Sequence, residues 1–198
     1  AFLTNCSFYG NAAGEAGGAI QVEGTMGTNT LTIKNSILWR DSTAAAADEV
    51  ANNGGAVSIA YSNIDGGLPA EATDNGNNFM FKPEFADPEN GDLRLLACSP
   101  LIDAGDNSAV LPVADPDPDG DPRIFNGVVD FGAYERGIIY VDKMAAGANT
   151  GKSWADAFQD LQAGLAAAQA GDQLWVAQST YFPTACSSCS DDDRQAAF

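Results

Sequence analysis

A nine-residue segment recurs three times, and this recurrence constrains the fold more than any other feature of the chain. It reads Leu3-Thr4-Asn5-Cys6-Ser7-Phe8-Tyr9-Gly10-Asn11, then Ile33-Lys34-Asn35-Ser36-Ile37-Leu38-Trp39-Arg40-Asp41, then Ile59-Ala60-Tyr61-Ser62-Asn63-Ile64-Asp65-Gly66-Gly67. The equivalent positions Cys6, Ser36 and Ser62 fall 30 and 26 residues apart. A period in that range is the signature of stacked supersecondary units. Each copy is short, β-prone and bounded by Asn, Asp or Gly, which describes one strand followed by a turn.

A second strand is expected between copies, at Gly17-Gly18-Ala19-Ile20-Gln21-Val22 and at Asp48-Glu49-Val50-Ala51. Thr30-Leu31-Thr32-Ile33 and Ala56-Val57-Ser58-Ile59 alternate polar and apolar residues, as a strand with one buried face does. Stacking such units in parallel places Leu31, Ile33, Leu38, Val57 and Ile59 in a continuous interior column. Asn5 and Asn35, at equivalent positions, are placed to form a short asparagine ladder. Cys6 reads as a small inward-facing hydrophobe of a strand.

Residues 75–100 are irregular, broken by Pro83, Pro88 and Pro100, with a short strand at Leu93-Arg94-Leu95. Asp115-Pro116-Asp117-Pro118-Asp119-Gly120-Asp121-Pro122 must be loop, because proline at alternate positions forbids both helix and ladder. A strand is expected at residues 128–134. Ile138-Ile139-Tyr140-Val141 and Gln173-Leu174-Trp175-Val176-Ala177 read as strands around one amphipathic helix. Its expected N-cap is Ser153, with Asp156 at the capping-box position. Its apolar face is Ala157, Phe158, Leu161, Leu165 and Ala168, and its stop is Gly171. Such a helix beside stacked units covers an open end.

Composition narrows the function. Twenty-seven acids against nine bases give a net charge of −18, which excludes nucleic acid and anionic membrane surfaces as partners. Acidic polysaccharide is accessible only through a bridging cation. The 198 residues contain no histidine, so neither a Ser-His-Asp nor a Cys-His mechanism can be assembled. No apolar run is long enough to cross a membrane. The chain opens inside a copy of the repeat and carries no signal peptide, so it is expected to be a piece of a longer protein.

The segments NCSFYGN, GGAIQ, LTIKNSILWRD and VSIAYSNIDGG, in that order, resemble the final coils of right-handed parallel β-helix repeat proteins. FKPEFADPENGDLRLLACSPLIDAGDN, DPDGDPRI and VDFGAYE resemble the closing segment of the secreted bacterial members with a choice-of-anchor Q type domain. IIYVDKMAAGANTGKSWADAFQDLQAGLAAAQAGDQLWVAQSTYFPT resembles the opening segment of the same architecture. The resemblance implies a mainly β fold, a right-handed parallel β-helix with one short capping helix. Residues 1–136 would close one such solenoid and residues 137–198 would begin the next. It implies a secreted, often very large surface protein and no particular reaction.

Two groups of residues remain as chemical candidates. Asp115, Asp117, Asp119 and Asp121 alternate around Gly120 and can converge on calcium, a hard cation that prefers oxygen. The run lacks the distal bidentate Glu of an EF-hand, and the competing reading is a structural Asp/Pro turn whose carboxylates accept backbone N–H bonds. Cys186 and Cys189 have CxxC spacing. No second pair completes a zinc site, and outside a cell a local disulfide is the expected state. The acidic run at residues 191–193 would raise their thiol pKa. Glu15, Asp41, Glu49 and Asp65 are expected as exposed turn acids with no fixed pairing, and Lys34 and Arg40 share one coil with nothing tying them to a carboxylate cluster. Tyr9 and Trp39 share a repeat position, where they stack along the coil or face a sugar ring. The expected role is therefore a non-catalytic rod, fibre or surface layer, with copies of itself or adjacent units as end-to-end partners. A carbohydrate-binding or polysaccharide-degrading β-helix is the alternative.

Overall fold

The structure is a computed structural model that describes residues 1–14, 16–24, 29–43, 49–96, 98–110, 116–124, 127–168 and 172–182. It divides into two compact units, Ala1–Arg136 and Gly137–Phe198.

The first unit is built from the repeat. Its strands are β1 (Phe2–Thr4), β2 (Ser7–Tyr9), β3 (Ala12–Ala13), β4 (Ile20–Glu23), β5 (Thr30–Lys34), β6 (Ile37–Trp39), β7 (Ser42–Thr43), β8 (Val50–Asn53), β9 (Ala56–Ala60), β10 (Asn63–Ile64) and β11 (Thr73–Asp74). Equivalent strands of successive copies pair in parallel, in the orders β1-β5-β9-β11, β2-β6-β10, β3-β7 and β4-β8. Register follows sequence equivalence: Leu3 faces Ile33, Ile33 faces Ile59, and Tyr9 faces Trp39. A one-residue slip would turn the alternating Leu31 and Ile33 out to water, so the pattern itself locks the register. All five residues expected in the interior column are buried, joined there by Val22, Val50 and Ile64.

Two left-handed residues per copy turn the chain at the ends of the short strand. Asn5, Asn35 and Tyr61 have φ of 52°, 49° and 48°; five residues on, Gly10, Arg40 and Gly66 have φ of 67°, 58° and 75°. Asn and Gly adopt this region readily, and Tyr61 and Arg40 are held there by the neighbouring copies. Cys6 therefore lies at a corner rather than within a strand, and it is half-buried. The corner carries a polar ladder. The Cys6 N–H donates to Ser36 Oγ (3.2 Å), the Ser36 N–H to Ser62 Oγ (3.3 Å) and the Ser62 N–H to Asn78 Oδ1 (3.1 Å). Each serine hydroxyl donates in turn to the carbonyl two residues back. The ladder thus runs through Ser36 and Ser62, whereas the amides of Asn5 and Asn35 turn to the closing segment, donating to the carbonyls of Asp130 and Asp106.

That closing segment holds one antiparallel pair, β12 (Phe85–Asp87) with β13 (Asp92–Leu95), and otherwise irregular chain. The expected strand at residues 128–134 is not formed. Val129, Asp130 and Phe131 are buried, and their backbone bonds go singly to different partners. The Phe131 N–H donates to the Leu101 carbonyl, the Gly132 N–H to Asn35, and the Val129 carbonyl accepts from Gly105. Gly132 has φ of 95°, and a side chain there would meet Ser7 Oγ and Ile37, so only glycine lets this segment approach β2 and β6. Phe131 seals a second core with Ile37, Phe85, Leu95 and Leu101.

In the second unit β14 (Ile138–Val141) pairs in parallel with β15 (Gln173–Val176), connected through α1 (Leu161–Ala167). The helix is shorter than expected. Ser153 and Asp156 do bond to each other, but Phe158 extends beside β14, its N–H on the Tyr140 carbonyl and its carbonyl accepting from Asp142. Two ladder bonds there replace the first helical turn. The cap is instead Asp160, whose side chain accepts from the Gln162 N–H. Gly164 is the buried residue of α1, lying against Val141, while Leu165 is exposed. The expected stop, Gly171, lies outside the described residues. Taken together the chain is mainly β, with parallel sheets and one α-helix among the described residues.

Candidate functional site

The acidic side chains of the first unit are mostly structural acceptors. Asp117 is buried. Its Oδ1 accepts the N–H groups of Asp119 (2.9 Å) and Asp121 (2.8 Å), and its Oδ2 that of Glu135 (2.9 Å). Asp119 holds Arg94 in a two-pronged pair, Nε and Nη2 each at 2.7 Å, and Arg94 also reaches Asp92 at 3.0 Å and lies over the Tyr134 ring. These carboxylates press the Arg94 pKa upward. The Asp117 carboxylate is thus taken up by three amides, and the cation on Asp119 is a guanidinium. Asp115 lies outside the described residues. Among those described, no group of three or more acidic or sulfur side chains is arranged around a metal position. Calcium at this turn would have to compete with Arg94 for Asp119.

Asp130 repeats the theme. It accepts the N–H of Asp103 (2.7 Å) and of Arg136 (2.9 Å), and its own N–H donates to Glu135 (3.0 Å). Burial pushes its carboxyl up to about 6, against the pull of those two amides. Asp106 bonds Ser108 and Lys34, which together lower its pKa. Sequence reasoning missed Asp106, Asp130 and Glu135. The one available signal was an acid set between Val129 and Phe131.

The expectation of exposed, unpaired turn acids is corrected at two positions. Asp41 and Glu49 are buried and adjacent rather than exposed and unpaired. Lys34 pairs with Asp106 at 3.0 Å, and Arg40 with Glu89 at 3.1 Å and with Tyr9. Glu15, Cys186 and Cys189 lie outside the described residues. Cys6 and Cys98 are free thiols.

Two of the clefts on the first unit bear on function. The larger of these, about 580 Å³, is lined by Phe2, Thr4, Thr32, Lys34, Val110 and Arg123. The Lys34 charge is answered by Asp106, and Arg123 donates to the Ala133 carbonyl. The smaller, about 270 Å³, runs along Tyr9, Trp39 and Phe85, with the exposed pairs Arg40–Glu89 and Lys82–Glu84 at its rim. Tyr9 meets Phe85 edge to face rather than stacking on Trp39. Among the described lining residues, the larger cleft presents no carboxylate, and the smaller presents acids already paired to cations.

No protein-family model, curated protein or solved structure matches the chain. No helix among the described residues is long and apolar enough to cross a membrane.

Proposed function

We propose that the chain is a non-catalytic structural segment of a large secreted or surface protein built from right-handed parallel β-helices. Residues 1–136 are the last coils and closing segment of one, and residues 137–198 the first strand, capping helix and first coil of the next. The observation that carries this reading is the corner ladder through Cys6, Ser36, Ser62 and Asn78, superimposed on parallel pairing of equivalent strands. A chain that repeats both its ladder and its left-handed corners at each copy is adding coils along an axis. The use of Asp117, Asp119 and Asp130 as anchors for backbone and arginine supports a structural role over a catalytic one. Partners would be adjacent β-helical units or further copies, end to end.

Carbohydrate binding is the second reading, favoured by the Tyr9–Trp39 groove with its exposed ion pairs. Incubating the purified chain with neutral and acidic polysaccharides, with and without calcium, separates the two. The rod predicts no new reducing ends, no unsaturated products and no retention on any polysaccharide column. Cleavage abolished by one carboxylate substitution would overturn it in favour of an enzyme. Retention lost in Trp39→Ala would favour the binding module.

A further inference from the structure

Asp41 follows β6 and Glu49 precedes β8, and both are closed to solvent, at 0% and 3% exposure. Donors converge on the pair. The N–H and the side-chain amide of Asn11 both donate to Asp41 Oδ1 at 2.6 Å, and the Asp41 N–H reaches the two Glu49 oxygens at 3.1 and 3.3 Å. The other Asp41 oxygen, Oδ2, is buried without a hydrogen-bond donor. A buried acceptor left in that state is costly, and two buried carboxylates side by side are costlier still. We propose that Asp41 and Glu49 share one proton, Glu49 donating to Asp41 Oδ2, and that this proton clasps successive copies of the repeat into a pH-sensitive latch.

The latch joins three places in the chain. Asn11 belongs to the first copy and Asp41 to the second, while the Glu49 carbonyl accepts the N–H groups of Ala19 and Ile20 at 3.0 Å. A proton suits the gap better than a metal ion. Calcium takes about six to eight oxygen ligands, whereas here a single carboxylate oxygen, Asp41 Oδ2, lacks a donor and the surrounding N–H dipoles point their positive ends at the pair. The further charge acting on Glu49 is Asp65, after β10, whose carboxylate accepts the Arg40 N–H at 3.3 Å. The Arg40 guanidinium turns instead to Tyr9 and Glu89. Desolvation and then the Asp41 carboxylate push Glu49 from 4.5 up to about 9. The folded chain therefore keeps the proton at neutral pH, while the unfolded chain releases it above about 4.5. The contribution to stability is complete below that pH, declines above it, and is lost as pH passes about 9.

Carboxyl-labelled glutamate in the full chain, followed by ¹³C NMR against pH, reads the latch directly. One glutamate resonance should titrate near pH 9 and be missing in Glu49→Gln. That variant keeps a donor for Asp41 Oδ2, so its melting temperature should not fall between pH 5 and 9 as the wild type's does. Should Glu49→Gln fail to fold, Asp41→Asn provides the check, since loss of the negative partner should lower the same midpoint by a unit or more. Should neither variant fold, the wild-type titration decides. All glutamates titrating below about pH 6 would overturn the shared proton, as would a midpoint that drops when calcium is added.

Discussion

In the repeats the backbone of each copy is paired with the next, whereas in the closing segment beyond β13 several of the described backbone N–H groups bond acidic side chains. The first arrangement needs only alternating apolar residues and a constant period. Leu31, Ile33, Val57 and Ile59 point inward, and the ladder bonds then form along the sheet. The second has no continuous ladder to satisfy its backbone amides. Asp117 and Asp130 supply acceptors at five of them, and Asn35 reaches across from the repeats to bond the Asp106 N–H at 2.8 Å. Parallel ladders can thus give way to irregular chain where carboxylates take over backbone groups that no ladder pairs.

The largest expected effect falls in the repeats. Ile59 is fully buried between the strands of two neighbouring copies. Ile59→Ala should destabilise the first unit by about 4 kcal/mol, and Ile59→Val by about 1 kcal/mol, following the volume removed. Urea denaturation of the purified chain measures both. If Ile59→Ala cost no more than Ile59→Val, the interior column would not be holding the copies together.

Much of this division was legible in the residues. Period, strand positions and the interior column follow from alternation and repeat spacing, which act locally. The corner ladder was half visible, because Cys6, Ser36 and Ser62 stood at equivalent positions, but their hydrogen-bonding role depends on the copy stacked beside each. The closing segment was legible only in part: Leu93-Arg94-Leu95 lies in β13 and residues 116–122 are loop, as expected, but the expected strand at residues 128–134 is absent. Val128-Val129-Asp130-Phe131 has the composition of a strand, yet Phe131 and Val129 are buried by packing on β6 and on Gly105, not by a ladder. The helix start was misplaced for a similar reason: Phe158 gains two bonds beside β14 that no helical periodicity reveals. Asp41 and Glu49 looked like turn acids because burial by a neighbouring copy leaves no local mark.

An intermediate effect should come from the acid anchors. Asp117→Ala leaves the N–H groups of Asp119, Asp121 and Glu135 without their acceptor, and should cost about 3 kcal/mol. Asp117→Asn should recover less than half of that, because its NH₂ group faces donors. The contrast with Ile59 is the test: loss of one methylene is mild in the repeats, while an isosteric exchange is severe in the closing segment. If Asp117→Asn were as stable as wild type, the carboxylate would not be the acceptor holding this segment.

The smallest effect concerns Arg94, and it decides what neutralises the aspartate turn. Its guanidinium bonds both oxygens of Asp119 and donates to Asp92 Oδ1 at 3.0 Å, with its central carbon 5.1 Å from the Tyr134 ring centre. A lysine keeps the charge but can neither grip both oxygens nor spread over the ring. Arg94→Lys should therefore cost about 1 kcal/mol, discounted for the partial exposure of the pair. A chelator separates the two candidate cations. With Arg94 in place, the melting temperature should be the same with and without chelator, because the guanidinium already sits on Asp119. In Arg94→Met that carboxylate is released beside Asp121, and added calcium should then raise the melting temperature. A wild-type chain that melts several degrees lower in chelator, and loses that difference in Asp119→Ala, would show that calcium and not Arg94 closes the turn.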